Sequence, residues 1–269
     1  MTSEVAEGQA GFPMATTGSS RDIAPLKRDH AVVPCLLRVK RDMADFAAYP
    51  PPGVYIAAAD NDIANIDAMV IGPRDTPYEG AFFRFLIVFP TTYPIEPPRV
   101  RFLTTDTGRV QMHPNLDKNG DVTLSLVSTW SPAQSLSSLL VSLRSMFTAD
   151  PLYDAPHAVR GQLEYSAECY RQFVRHESVR VAVCDAVESC LMDGHPRFPK
   201  PFREVVLRRF LEHYGKYEKA LMKQRYLNGS EMFDLIGGTK GNFQHDALLA
   251  RLRDIKEKVE ERNNAVICV

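Results

Sequence analysis

Hydrophobic positions fall into two regimes along this chain. From Val33 to about Pro156 short helical and short extended patterns alternate, and beyond that the spacing is helical almost throughout. Leu36, Val39, Met43 and Ala47 recur three or four residues apart, which predicts one face of a helix ended by Pro50-Pro51-Pro52-Gly53. Four runs rich in β-branched and aromatic residues follow: Val54 to Ala58, Ile66 to Ile71, Phe82 to Phe89 and Arg99 to Leu103. Asp60-Asn61-Asp62, Gly72-Pro73 and the proline-rich Tyr93 to Pro98 separate them, gaps that predict an antiparallel meander. After a long irregular segment, Ser131 reads as a helix N-cap, Pro132 as the first helical residue and Gln134 as the partner in a capping box. Leu136, Leu139, Leu140, Leu143 and Phe147 then repeat on one face, and Asp150-Pro151 closes that helix.

The C-terminal part predicts three more helices. Val183, Ala186, Val187 and Cys190 mark the first, Val206, Phe210, Tyr214, Tyr217 and Leu221 the second, and Leu248, Leu252, Ile255 and Val259 the third. Gly194 to Pro201 and Asn228 to Gly241 are the breaks between them. The expected class is α+β: an N-terminal helix, a four-stranded antiparallel meander and packed helices, followed by a helical extension. The expected division is a flexible tail over residues 1–28, a core domain over 29–157 and the extension over 158–269. Within the extension, Gly237-Gly238-Thr239-Lys240-Gly241 lacks phosphate-loop spacing and reads as a flexible connector.

Composition narrows the function classes. The 269 residues carry a formal net charge of -1, so neither nucleic acid nor an anionic membrane has compositional support as a partner. No apolar run approaches a bilayer span, and no basic start followed by an apolar run marks a secretory leader. The five cysteines are odd in number and form no CxxC pair, which argues against a disulfide framework or a zinc site and for a reducing compartment. Cytoplasm, with the nucleus second, is the expected location.

The chemistry-bearing stretch is His113-Pro114-Asn115, a turn through Gly120, then Val122-Thr123-Leu124. It resembles the active-site signature of ubiquitin-conjugating enzymes (E2), in which a cysteine stands where this chain has Thr123. Other landmarks follow in family order: Gly72-Pro73 with Thr76-Pro77-Tyr78-Glu79-Gly80, Phe82-Phe83, Tyr93-Pro94-Ile95-Glu96-Pro97-Pro98, and Trp130-Ser131-Pro132-Ala133. Together they cover about Cys35 to His157. The first helix and the run Arg175-His176-Glu177-Ser178-Val179-Arg180-Val181-Ala182-Val183-Cys184-Asp185 are similar to the large Z-type members. Thr129-Trp130-Ser131-Pro132 is shorter than the Z-type pattern, so the loop beside the site is trimmed.

Family members carry ubiquitin or a ubiquitin-like modifier as a thioester. A thiol with pKa near ~8.5 supplies thiolate near neutrality, whereas a threonine hydroxyl needs an adjacent base. An oxyester would also pass the modifier to lysine poorly, because alkoxide is a worse leaving group than thiolate. The resemblance gives Asn115 the role of stabilising the oxyanion; the plainer reading is that its side chain ties down the turn. His113 as a general base is the less favoured alternative to its supporting the loop. The acidic residue that conditions the incoming lysine in active relatives aligns with Ala155, beside Asp154. Cys35 and Cys184 read as core residues rather than substitute nucleophiles.

The resemblance further implies contacts to the activating enzyme through Arg38, Lys40 and Arg41, and a ligase-gripping platform at Ile95, Pro132 and Ala133. It implies no metal and no cofactor, ATP being used by the activating enzyme. In Z-type members that enzyme is a specialised one that also handles a tandem ubiquitin-like modifier. The leading expectation is a non-catalytic variant acting by binding, as known variants do by pairing with an active relative. The alternatives are an active enzyme, using Thr123 or another cysteine, and a scaffold acting through the helical extension.

Overall fold

The computed structural model describes residues 33–59, 62–155, 164–192 and 198–267. The expected tail, the Asp60-Asn61 turn and the boundary at 157–158 lie outside the described residues.

Helix α1 (Val33–Ala48) leads into strands β1 (Val54–Ala59), β2 (Asp62–Ile71), β3 (Phe82–Val88) and β4 (Arg99–Phe102). The strands form one antiparallel sheet in chain order, with Ile66 opposite Ile87, Val70 opposite Phe83 and Phe85 opposite Phe102. The predicted meander is therefore present. Alternation is clean in the first half of β2 and gives way at Ala68-Met69-Val70-Ile71, where all four side chains are buried. Burial of successive residues means cover on both faces of the sheet. On one face Phe83 stacks on Phe147, centroids 4.4 Å apart, just past the core helix. On the other, Phe198 of the extension lies over Arg84, which pairs with Asp67 at 2.5 Å.

The face of α1 differs from expectation by about one residue. Cys35, Val39, Asp42 and Phe46 are buried, whereas Ala47 is exposed and Leu36 and Met43 are only partly covered. Apolar spacing could not register Asp42, a carboxylate at 3% exposure that accepts hydrogen bonds from Arg38 Nε (3.0 Å), from the Tyr93 hydroxyl and from Leu136 N (3.3 Å). These bonds substitute for the water it gives up.

A short helix α2 (Ser125–Ser128) precedes the main core helix α3 (Leu136–Ser145). The start predicted at Ser131 is thus corrected by several residues. Ser135 is the N-cap, and Ser135 and Ser138 form the reciprocal capping box. Ser131 to Gln134 makes a single turn, with Gln134 N donating to Ser131 O at 2.9 Å. Arg38 holds that turn outside the helix by donating to the carbonyls of Pro132 (3.0 Å) and Gln134 (2.6 Å).

After a short 3-10 turn at Pro151–Asp154, the extension supplies α4 (Glu164–Glu177), an eight-residue π-helical stretch (Ser178–Asp185), α5 (Ala186–Leu191), α6 (Lys200–Lys223) and α7 (His245–Ile267). Helix α4 was not predicted. The extension is bonded to the core at several points: Tyr217 Oη donates to Gly80 O at 2.8 Å, and Arg180 pairs with Asp106 at 2.7 Å. Gly80 has φ +76°, and a Cβ there would lie 2.9 Å from the Tyr217 oxygen, so this junction calls for glycine. The predicted connector at Gly237 to Gly241 is anchored. Asp234 accepts from the N–H groups of Ile236, Gly237 and Thr239, Lys118 Nζ donates to Gly237 O (3.0 Å) and Thr239 Oγ1 donates to Arg109 O (2.6 Å).

Candidate functional site

Thr123 is delivered by a tight ribbon built mainly from backbone bonds. Asp117 N donates to Asp121 O (2.9 Å), Gly120 N to Asp117 O (2.8 Å), and the Asp117 carboxylate accepts from Asn119 N (2.7 Å). This is an aspartate-led turn whose last position needs a left-handed residue, and Gly120 supplies φ +94°. A Cβ at Gly120 would sit 2.8 Å from Phe102 O, while Phe102 N bonds to Gly120 O at 2.8 Å, so the turn lies directly against β4. Thr123 N then donates to Asn115 O at 2.9 Å.

His113 fixes the other side of the ribbon. Its ring is fully buried, and its Nδ1 accepts from Asn115 N at 3.0 Å. The proton therefore sits on Nε2, which donates to Asp154 Oδ2 at 3.1 Å. Asp154 Oδ2 also accepts from Thr148 Oγ1 at 2.9 Å. With both nitrogens engaged, His113 has no lone pair to offer a hydroxyl at position 123. The Asn115 side chain makes no hydrogen bond among the described residues, so the turn is held by the backbone of Asn115 and not by its amide. Thr123 is exposed, and its hydroxyl likewise has no partner among them.

His113, Asn115, Thr123 and Asp154 line one open cleft of about 810 Å³, together with the hydroxyl residues Ser125, Ser128, Ser142, Ser145 and Thr148. Such a cleft can hold an extended polar segment but offers nothing to activate an alcohol. Ala155 follows Asp154 at the end of the 3-10 turn and is half-buried.

The cysteines offer no substitute at the cleft. Cys35 and Cys184 are fully buried and Cys190 nearly so. Burial raises the Cys35 thiol, which donates to Pro90 O at 3.1 Å, and pushes those of Cys184 and Cys190 up to about 12. Cys169 is half-buried on α4, outside the cleft lining, and Cys268 lies outside the described residues.

The platform residues are brought together. Trp130 Nε1 donates to Pro94 O at 2.9 Å, tying the loop that presents Ile95 to the loop that presents Pro132 and Ala133. Ile95 is 75% exposed, and both Pro132 and Ala133 are exposed. Of the basic residues on α1, Lys40 and Arg41 face outward, while Arg38 turns its guanidinium inward onto Asp42 and the two loop carbonyls. No cluster of three or more His, Cys, Asp or Glu side chains able to hold a metal occurs among the described residues.

Comparison with known proteins agrees with this geometry. The sequence pattern of the family described as ubiquitin-conjugating enzyme matches residues 38–179, more than half of the chain. The human protein named "Ubiquitin-conjugating enzyme E2 Z" is 42% identical over 233 residues, which is 85% of this chain and 64% of its own length. Its Xenopus tropicalis counterpart is 39% identical over 85% of this chain and 73% of its own. The chain therefore spans less than two thirds of the human relative. A solved ubiquitin-conjugating enzyme E2 from Plasmodium falciparum is 28% identical over 42% of this chain and 97% of its own, with a TM-score of 0.39. With its meander sheet, its His113-Pro114-Asn115 ribbon and these relatives, the chain belongs to the ubiquitin-conjugating enzyme family and is of the Z type.

Proposed function

We propose that this chain works in ubiquitin or ubiquitin-like transfer by binding, without carrying the modifier itself. The observation behind this reading is Thr123: an exposed alcohol, without a hydrogen-bonded base, at the position that matches the family's cysteine. An alcohol in that state is inert toward acyl transfer. The buried, fully engaged His113 and the high thiols of Cys184 and Cys190 support the same reading. The binding partners are those the platform fits: a ubiquitin ligase, or an active conjugating enzyme with which this chain pairs. The exposed Lys40 and Arg41 suit the activating enzyme.

A charging assay with activating enzyme, ATP and labelled ubiquitin tests the reading on the natural chain and on Thr123→Cys. Products are separated without reductant and then treated with thiol or mild base. The expected result is a thiol-sensitive adduct on Thr123→Cys alone. A thiol-resistant, base-labile adduct on the natural chain that disappears in Thr123→Ala would overturn it and establish an oxyester enzyme.

A further inference from the structure

The run from Arg175 to Asp185 stood out in the sequence and takes no part in the transfer cleft. Its first residues wall a second cavity of about 700 Å³, between the core turn at Arg74 to Ala81 and the extension. Five cations line it: Arg74, Arg175, Lys216, Lys219 and Lys223. Two carboxylates, Asp75 and Glu79, line it as well, and Glu79 pairs with Lys216 at 2.6 Å. Arg74, Arg175, Lys219 and Lys223 make no hydrogen bond or ion pair among the described residues.

Arg175 and Ser178 separate this cavity from an ordinary solvated surface. Arg175 is partly buried, and burial pushes its pKa down; Arg171 adds to that, while Glu168 and Glu79 pull the other way. A guanidinium withdrawn from water without a bonded counter-charge is a standing demand for an anion. Ser178, at 1% exposure, lines the same cavity, and its hydroxyl has no hydrogen-bond partner. Buried hydroxyls are normally bonded, so this one is a donor without an acceptor. It also opens the π-helical stretch, a distortion often associated with functional sites.

Size and charge indicate the kind of anion. The cavity falls within the roughly 300–1,000 Å³ typical of small-molecule sites, and one phosphate would fill only a fraction of it. Its cations are spread over two units, Arg74 on the core and the others on α4 and α6. We propose that this cavity binds a small molecule carrying several phosphate groups, held by Arg74 of the core and by Arg175, Lys216, Lys219 and Lys223 of the extension, with the Ser178 hydroxyl donating to one of them. Such a ligand bridges core and extension and strengthens their junction. This site is independent of the reading given to Thr123.

Isothermal titration of the full chain with tripolyphosphate, inorganic phosphate and citrate at matched ionic strength tests it. Tripolyphosphate is expected to bind saturably with one-to-one stoichiometry and to raise Tm, while the other two bind at least about tenfold more weakly. Arg175→Gln should weaken tripolyphosphate about tenfold or more, the loss of one charge-assisted hydrogen bond. Should that variant fail to fold, the Lys219→Gln/Lys223→Gln pair, both exposed, decides the matter through a severalfold loss with unchanged Tm in the absence of ligand. No saturable binding to the natural chain, or affinity unchanged in the variants that fold, would overturn the site. Citrate binding as tightly as tripolyphosphate would overturn the phosphate assignment.

Discussion

The platform around Ile95 and the cleft around Thr123 belong to one core, yet they are held by different means. Side chains fix the platform from behind: Asp42 joins α1, the Tyr93 loop and the start of α3, Arg38 holds two loop carbonyls, and Trp130 binds the Pro94 carbonyl. Position 123 in the cleft is itself fixed by main chain, through the bond from Thr123 N to Asn115 O and the turn closed by Gly120, with His113 bracing the ribbon from its buried side. Every residue except proline carries the N–H that such a bond uses. A position defined in this way accepts another side chain without moving, so a change of residue at 123 leaves the platform undisturbed. The platform has less freedom, because the bonds that join its loops to each other and to α1 come from particular side chains.

Three substitutions put that contrast to the test. Asp42→Ala has the largest expected effect, because it leaves a part-buried arginine, a tyrosine hydroxyl and a helix N–H without their shared acceptor. We expect roughly 3–5 kcal/mol of lost stability in denaturant unfolding; a loss under about 1 kcal/mol would mean that the platform is not held by this network. Trp130→Phe keeps an aromatic ring but removes the bond and part of the packing, and should cost about 1–2 kcal/mol with faster amide exchange confined to the Pro94 and Pro132 loops. If exchange quickened equally in the Leu116 to Val122 ribbon, cleft and platform would be one cooperative unit. Thr123→Ala should change stability by no more than about 0.5 kcal/mol, and a larger shift in melting would show that the side chain helps hold the ribbon.

The same contrast explains what could be read from the chain alone. The strands were legible because β-branched runs and turn residues constrain backbone directly, whereas the Thr123 ribbon stood out only through its likeness to the family signature. The start of α3 was misplaced because Ser131-Pro132-Ala133-Gln134 satisfies the capping template, while Arg38, 94 and 96 residues away, claims the carbonyls of Pro132 and Gln134. Helix α4 had a usable signal in Ala167, Tyr170, Phe173 and Val174, all buried, but charged neighbours diluted it. That Asp154 meets His113 came into view only through folding, since 41 residues separate them. The extension's role as a cover for the sheet was not read from the chain, although the unbroken apolar end of β2 carried a signal that a second face needs covering. Deleting the extension would therefore bare the outer side of the sheet as well as remove any binding surface it carries.

The anchoring of the Asp234 loop bears on how the protein is made. Lys118, inside the Thr123 ribbon, reaches a carbonyl 119 residues further along, and Thr239 reaches back 130 residues to Arg109. A ribosome adding roughly 5–20 residues each second needs about ten seconds to cover that distance. The core can thus emerge and pair its strands while the ribbon bearing position 123 still lacks its outermost ties. The ribbon is among the last parts of the molecule to be fully tied down, and its outermost tie comes from the distal third of its own polypeptide.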